Sequence, residues 1–237
     1  TADPDVFDTW ATSSLTPLLA TGWLDDPDLF GKVYPMDLRP QGHDIIRTWL
    51  FSTVVRSHLL TDSLPWTGAS INGWILDPDR KKMSKSKGNV VTPIDLLEKY
   101  GSDGVRYWAA RARQGADTAF EEGQMKIGRR LAIKVLNASK FALGFGEVAS
   151  DPEGTLPADP AAVTEPLDRA MLASLASVVD QASAAMSKLD YARAIEVIEP
   201  FFWTFCDDYI ELVKNRAHGA AGEGPAASAR AALTIAL

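Results

Sequence analysis

The hydrophobic pattern changes its period near residue 120, and that change limits the folds open to this chain. Before that point short apolar runs mix with turns and helical stretches, the texture of an α/β region. Beyond it apolar residues recur at helical spacing with few breaks. The expected fold is therefore α/β over residues 1–119 followed by an all-α helical bundle over residues 120–237. At 237 residues and 46% hydrophobic, the chain holds enough apolar material for one large domain or two smaller ones.

In the first half, Tyr34–Arg39 reads as a strand and Gly42-His43-Asp44 as a turn, after which Ile45-Ile46, Trp49-Leu50 and Thr53-Val54 recur at helical spacing. Asp44 stands where a helix N-cap belongs. It also stands at the carboxyl end of a strand, where open α/β sheets bind ligands. His43 reads as a solvent-facing neighbour. Ala69–Leu76 reads as a second strand, ended by the turn Asp77-Pro78-Asp79. A helix then begins with Thr92 as N-cap, Pro93 at its first position and Asp95 completing a capping-box-like pattern, and Gly101 stops it.

Between that strand and that helix lies Arg80-Lys81-Lys82-Met83-Ser84-Lys85-Ser86-Lys87-Gly88-Asn89, with five cationic side chains and no acid. The chain as a whole carries a net charge of -7. A cationic island in an acidic protein points to a local anionic ligand rather than a basic surface. Small residues between the lysines let backbone approach that ligand, as phosphate-binding loops do. Lysine serves phosphate as a mobile point charge, which suits a group that moves during reaction.

The second half reads as three helical segments. Ile127, Leu131 and Val135 form an apolar row, flanked by the cationic row Lys126, Arg130 and Lys134. That cationic row, like Arg106, Arg111 and Arg113, reads either as a solvated face or as an RNA contact, since nucleic acid needs local cations on an acidic protein. A break runs from Gly144 to about Pro166. The second helix carries Leu167, Met171, Leu172, Leu175, Val178, Val179, Met186 and Leu189; the third runs from Ala194 to Val213 with a kink at Pro200. Phe201, Phe202, Trp203 and Phe205 read as bundle packing, two of them at the surface because four cannot all face inward. Gly219–Ala227 reads as a small-residue linker, with a final helix beginning at Arg230. Together these segments suit an antiparallel bundle.

Composition narrows the chemistry further. No apolar run is long enough to span a bilayer. Residues 1–5 lack the basic and apolar regions of a signal peptide, and the chain reads as an excision from a longer protein. The one cysteine, Cys206, excludes an internal disulfide and a multi-cysteine metal site, fits a reducing cytoplasm and reads as a small buried hydrophobe. His43, His58 and His218 have no zinc-ligand spacing, so no protein-bound metal is expected.

Lys82-Met83-Ser84-Lys85-Ser86 matches without departure the KMSKS signature of class I aminoacyl-tRNA synthetases, and Trp74-Ile75-Leu76 and Lys87–Val91 resemble its usual surroundings. Asp5-Val6-Phe7-Asp8-Thr9-Trp10 resembles the segment that re-enters the catalytic domain after the editing insertion of the valine, isoleucine and leucine enzymes. Gly42–Trp49 resembles their GxD element, and Phe202–Lys214 a helix of their anticodon-binding bundle. The resemblance covers nearly the whole chain, and Asp8-Thr9-Trp10 with Asp44-Ile45 is most similar to the valine-handling branch. An HIGH-type pattern, the family's other ATP signature, is missing. The resemblance therefore implies the second half of a Rossmann-like nucleotide-binding fold plus part of an anticodon-binding bundle, inactive by itself.

What the resemblance implies for residues is specific. Lys82 and Lys85 would be catalytic, holding pyrophosphate oxygens as charge builds there, Lys85 more directly. Gly42, Asp44, Ile75, Met83, Ser84 and Ser86 would complete the ATP site, with Met83 and Ile75 near adenine. Trp10 and Ile45 would wall the amino-acid side chain while Asp44 holds its ammonium. The implied substrates are valine, ATP with Mg²⁺ and tRNA(Val), handled by a cytoplasmic monomer. Trp49, by contrast, reads as core. An isoleucine or leucine enzyme, a non-catalytic tRNA-binding module and another adenylyl-transferring enzyme of the same fold are the alternatives.

Overall fold

In the computed structural model, which describes residues 4–6, 8–145 and 159–237, three short helices precede the first strand: α1 (Thr9–Ser13), α2 (Thr16–Ala20) and α3 (Pro27–Val33). Asp8 and Asp26 cap α1 and α3, their Oδ1 atoms accepting the amides of Trp10 at 2.8 Å and Leu29 at 3.0 Å. Strand β1 (Met36–Gly42) leads through a 3₁₀ turn (His43–Ile45) and a π turn (Ile46–Leu50) into α4 (Phe51–Thr61), which returns the chain to β2 (Trp66–Asn72). The two strands pair in parallel, Met36 opposite Trp66 and Gly42 opposite Asn72, as a helical crossover requires. The strand expected to end at Arg39 thus continues to Gly42, which is the last strand residue rather than part of the turn.

The expected single strand Ala69–Leu76 is two. Strand β3 (Ile75–Leu76) leaves β2 and pairs in parallel with β4 (Thr118–Ala119) in a separate sheet. The break falls at Gly73, where an added Cβ would lie 2.3 Å from the carbonyl oxygen of Ala116. Only glycine admits that approach. Beside it the Trp74 amide donates to Asp117 Oδ1 at 2.8 Å, which turns the chain from one sheet to the other.

Two compact units result. The first comprises Thr1–Val90 and Arg113–Phe120. Its core is aromatic: Trp49, 5% exposed, stacks on Trp66 at 6.1 Å, carries the Arg39 guanidinium 3.8 Å above its ring and donates its indole N–H to the Ser13 carbonyl at 3.0 Å. The core role expected of Trp49 is met.

The second unit, Val91–Ala112 with Glu121–Leu237, is helical: α5 (Pro93–Ala110), α6 (Glu122–Leu143), α7 (Pro166–Met186), α8 (Tyr191–Thr204), α9 (Ile210–Ala217) and α10 (Glu223–Ile235). Thr92 is the N-cap residue of α5 and Pro93 its first residue, although no side-chain cap bond forms; Gly101, at φ 74°, interrupts the helix. The core joins Ala138, Ala142, Met171, Phe205, Cys206, Tyr209, Val213, Ala229 and Leu233. Beneath it Asp168, fully buried, accepts hydrogen bonds from Tyr209, Arg216 and Ser228.

Four expectations here need correction. On α6 the buried residues are Met125, Gly128, Ala138 and Ala142, while Ile127 is 38% and Val135 44% exposed. The helix packs through its small residues because α5 comes very close: a Cβ on Gly128 would sit 2.4 Å from Tyr107 Cβ. The stretch Gly219–Ala227 is not a linker beyond Gly222, since α10 starts at Glu223 and buries Ala226, Ala229 and Ala232 completely. Pro200 lies inside α8, and the departure from α geometry follows it, in a π turn at Phe205–Tyr209. None of the four aromatics is fully exposed; Phe205 is buried and Phe201, Phe202 and Trp203 are half-buried. Most of the expected break from Gly144 to Pro166 lies outside the described residues.

Candidate functional site

The carboxyl ends of β1 and β2 lie side by side, and His43, Asp44, Trp74 and Lys82 meet there. Gly42 ends β1, and His43, Asp44 and Ile45 form the 3₁₀ turn that follows. The N-cap role expected of Asp44 is not formed: Gly42 occupies that position because the strand runs three residues further, and no side-chain cap bond is made. The Asp44 carboxylate is instead free to face the cationic loop. Its Oδ2 lies 3.8 Å from Lys82 Nζ. The same ammonium stands 4.0 Å above the Trp74 ring. Both members of the ion pair are substantially exposed, so it contributes little to stability, about 0–1 kcal/mol. Its importance is positional: Asp44 is placed to receive a cation.

His43, expected to face solvent, is anchored. Its Nδ1 lies 3.0 Å from the Asn72 carbonyl oxygen, and its ring meets Trp74 at 4.7 Å. A carbonyl only accepts, so Nδ1 carries the proton and Nε2 is the acceptor in the neutral ring. The contact ties the turn after β1 to the end of β2 and so fixes the base of the site.

The cationic loop is built in three steps. Asp77 closes a turn, its amide donating to the Lys81 carbonyl at 2.9 Å while Arg80, at φ 61°, donates to the Asp77 carbonyl at 2.9 Å. Lys82 then makes an antiparallel bridge with Leu76. Lys85–Lys87 form a 3₁₀ turn whose last amide donates to the Ser84 carbonyl at 3.1 Å, and Ser84 Oγ lies 3.1 Å from Ser86 Oγ. Met83 and Ser84 are half-buried, whereas Lys85, Ser86 and Lys87 are exposed. The Lys85 ammonium makes no ion pair among the described residues.

The structure brings Gly42, Asp44 and Ile45 into one turn and Asp44 to Lys82. Ile75 is exposed and sits in β3, immediately before the loop. Trp10, 37% exposed, lies in α1, which packs against the π turn following Ile45. In the second unit Lys126 and Arg130 are exposed, while Lys134 Nζ is bound to Asp207 Oδ1 at 2.8 Å, which raises its pKa. Among the described residues no group of three or more His, Cys, Asp and Glu is arranged to hold a metal ion, and no helix is long and apolar enough to cross a membrane. Cys206 is 4% exposed, and burial pushes its thiol up, away from the reactive thiolate.

Residues 1–121 match the family described as tRNA synthetases class I (I, L, M and V), and residues 168–237 match the anticodon-binding domain of tRNA ligases. A valine–tRNA ligase of Thermobifida fusca is 70% identical over 99% of this chain, and one of Salinispora tropica 64% identical over 100%. The chain spans 26% and 27% of those relatives' lengths. Among solved structures, the Agrobacterium radiobacter K84 LeuRS in a ternary complex with tRNA and LeuAMS matches 99% of the chain and 29% of its own, with TM-score 0.75 at 20% identity. Mycobacterium tuberculosis methionyl-tRNA synthetase with methionyl-adenylate matches 95% of the chain and 44% of its own, with TM-score 0.67 at 26% identity.

Proposed function

Because this chain belongs to the class I tRNA synthetases, we propose that its residues serve, within a longer cytoplasmic ligase, the ATP-dependent attachment of valine to tRNA(Val). The observation that carries the proposal is the approach of the cationic loop to Asp44 at the carboxyl end of the parallel strands. The valine assignment draws on relatives of that name at 64–70% identity across the chain.

Two steps are implied. A valine carboxylate oxygen attacks the α-phosphorus of Mg·ATP, the bond to the bridging oxygen breaks, and pyrophosphate leaves with the electron pair. A ribose hydroxyl of the tRNA end then attacks the acyl carbon and AMP departs. Chemistry of this kind depends on positioning and on charges set where negative charge develops. Lys82 and Lys85 supply those charges to the pyrophosphate, with Ser84 and Ser86 as added donors. Met83 and Ile75 offer apolar surface to adenine, and Gly42 leaves room for the adenosine. Lys126 and Arg130 offer the bundle's cations to tRNA.

Asp44 receives the valine ammonium. The same carboxylate already faces one cation, the Lys82 ammonium at 3.8 Å, which supports its suitability for an ammonium. Asp44→Asn in the longer ligase is expected to raise the KM for valine about 10–100-fold, the loss of one charge-assisted hydrogen bond. The KM for ATP should rise less than the KM for valine, and an unchanged valine KM in pyrophosphate exchange would exclude this role.

Trp10 and Ile45 shape the pocket for the side chain. One methylene in an apolar pocket is worth only about 1–3 kcal/mol, a general figure drawn from the isoleucine and valine enzymes themselves and not from this structure. Amino-acid identity is tested by ATP–pyrophosphate exchange with valine, isoleucine and threonine. Valine is expected to give the highest kcat/KM; a preference for isoleucine would remove the valine assignment while leaving the adenylation chemistry.

A further inference from the structure

Beneath the cationic loop lies a buried carboxylate to which the proposed chemistry gives no task. Asp77 is 6% exposed, in a stretch otherwise at the surface. Its Oδ1 accepts the Lys81 amide at 2.8 Å and its Oδ2 accepts Asn89 Nδ2 at 2.7 Å. The amide of Lys81, and after it the side chain of Asn89, hold the Asp77 carboxyl below the usual carboxylate range. Asn89 in turn reaches across the loop: its Oδ1 accepts the Ser84 amide at 2.9 Å and its Nδ2 also donates to the Lys82 carbonyl at 3.3 Å. Four side-chain hydrogen bonds thus join the entrance of the loop, its exit and the backbone at Lys81, Lys82 and Ser84.

We propose that Asp77 and Asn89 form a clasp that sets the register of this loop and so aims the lysine ammoniums at the phosphates. The inference rests on reading Lys82–Ser86 as the phosphate loop. Three features support it. Five cations between Arg80 and Lys87 repel one another, which favours added side-chain anchors on the loop backbone. The clasp binds backbone and leaves the Lys85 side chain free. Every one of its bonds ends within three residues of Lys82 or Lys85, except the one that closes Asp77 to Asn89. Both are positioning residues, since their hydrogen bonds go to each other and to loop backbone.

Geometry predicts a kinetic signature. A misplacement of about 1 Å costs on the order of 10²-fold in rate. In the longer ligase, Asn89→Ala and Asp77→Asn are each expected to lower kcat for valine-dependent ATP–pyrophosphate exchange about 10–100-fold. The KM for valine should stay within about threefold, because Asp44 and the side-chain pocket lie off the clasp. The double variant Asp77→Asn/Asn89→Asp restores a donor on one side and an acceptor on the other, losing only the long bond to the Lys82 carbonyl. It is expected to recover at least about tenfold over the single variants, a non-additivity that independent roles would not give. Trypsin, which cuts after these lysines and Arg80, supplies a readout independent of ATP. Cleavage in the loop is expected to quicken in both single variants and to slow again in the double.

Unchanged trypsin rates, or a double variant no better than the worse single, would overturn the clasp. Faster cleavage with unaltered exchange would overturn its role in aiming the lysines. Failure of the underlying phosphate reading appears separately, as exchange that survives Lys85→Ala.

Discussion

Lys85→Ala, made in the longer ligase, is expected to lower valine-dependent ATP–pyrophosphate exchange about 10²–10³-fold, the usual effect of removing one group that meets developing charge in a transition state. The KM for valine should stay within about threefold, because the proposed reading assigns the ammonium and side chain of the amino acid to Asp44, Trp10 and Ile45. The argument turns on the different surroundings of the loop's two lysines. Lys82 is already engaged, 3.8 Å from Asp44 and 4.0 Å above Trp74, and bridged through its backbone to Leu76. Lys85 is exposed on a 3₁₀ turn and makes no ion pair among the described residues, so none of them competes for its charge. Lys85→Arg keeps the charge but exchanges a compact ammonium for a planar fork, and should recover only part of the rate. Pre-steady-state measurement of adenylate formation separates the chemical step from product release. A loss confined to valine KM, with kcat intact, would exclude a phosphate role for Lys85.

The parts of the fold legible in the sequence are those set by neighbours along the chain. Thr92-Pro93 marks the start of α5 because proline fits the first turn wherever it occurs. Asp44 after a strand and a glycine marks a turn at the carboxyl end of β1, although a strand three residues longer than expected removes its capping role. Contacts across long stretches of sequence decide the rest. Ala69–Leu76 is uniformly compatible with a strand, and only the carbonyl of Ala116, arriving from 43 residues away, breaks it at Gly73. On α6, hydropathy ranks Ile127 and Val135 above Gly128 and Ala138, but closely approaching helices bury the smaller residues. The same preference makes the alanines of α10 resemble a linker, although alanine is the best helix former and here lines a core. The contacts of His43, Asp77 and Asn89 are illegible for a related reason. Each is an ordinary turn residue until its partner, 29 or 12 positions away, is in place.

Asp168→Ala is expected to destabilise the helical unit by about 3–5 kcal/mol, the usual cost of leaving a buried ion pair with one member. Asp168 is fully buried, while the Arg216 side chain is 16% exposed. Arg216 donates to it twice, at 2.7 and 2.6 Å; the Tyr209 hydroxyl donates at 2.7 Å and Ser228 Oγ at 2.6 Å. Ser228 Oγ meanwhile accepts the amides of Thr164 at 3.1 Å and Glu165 at 3.0 Å, so one carboxylate ties together the start of α7, the π turn, α9 and α10. Truncation leaves a phenol and a hydroxyl without this acceptor and a guanidinium without its counter-charge, keeping the Pro225 carbonyl at 3.1 Å, which is why the large end of the scale for point mutants applies. Burial pushes the Asp168 carboxyl up, but the hydrogen bonds from Arg216, Ser228 and Tyr209 outweigh it and hold it below the usual range. A depressed folded pKa adds stability that is complete above the unfolded value near ~3.9 and is lost as pH falls through the folded one. Burial, and then Asp168, push the Tyr209 phenol up. Its contribution is therefore complete below about pH 10 and declines on the alkaline side. Amide hydrogen exchange in α7, α9 and α10 should report the loss locally, as protection falling on the order of 10²–10³-fold in Asp168→Ala. The variant's protection should also lose its acid-limb dependence below about pH 4. A fall of less than about tenfold would mean that the four bonds only offset the cost of burying the charge, and that apolar packing around Val213 and Leu233 holds the bundle without them.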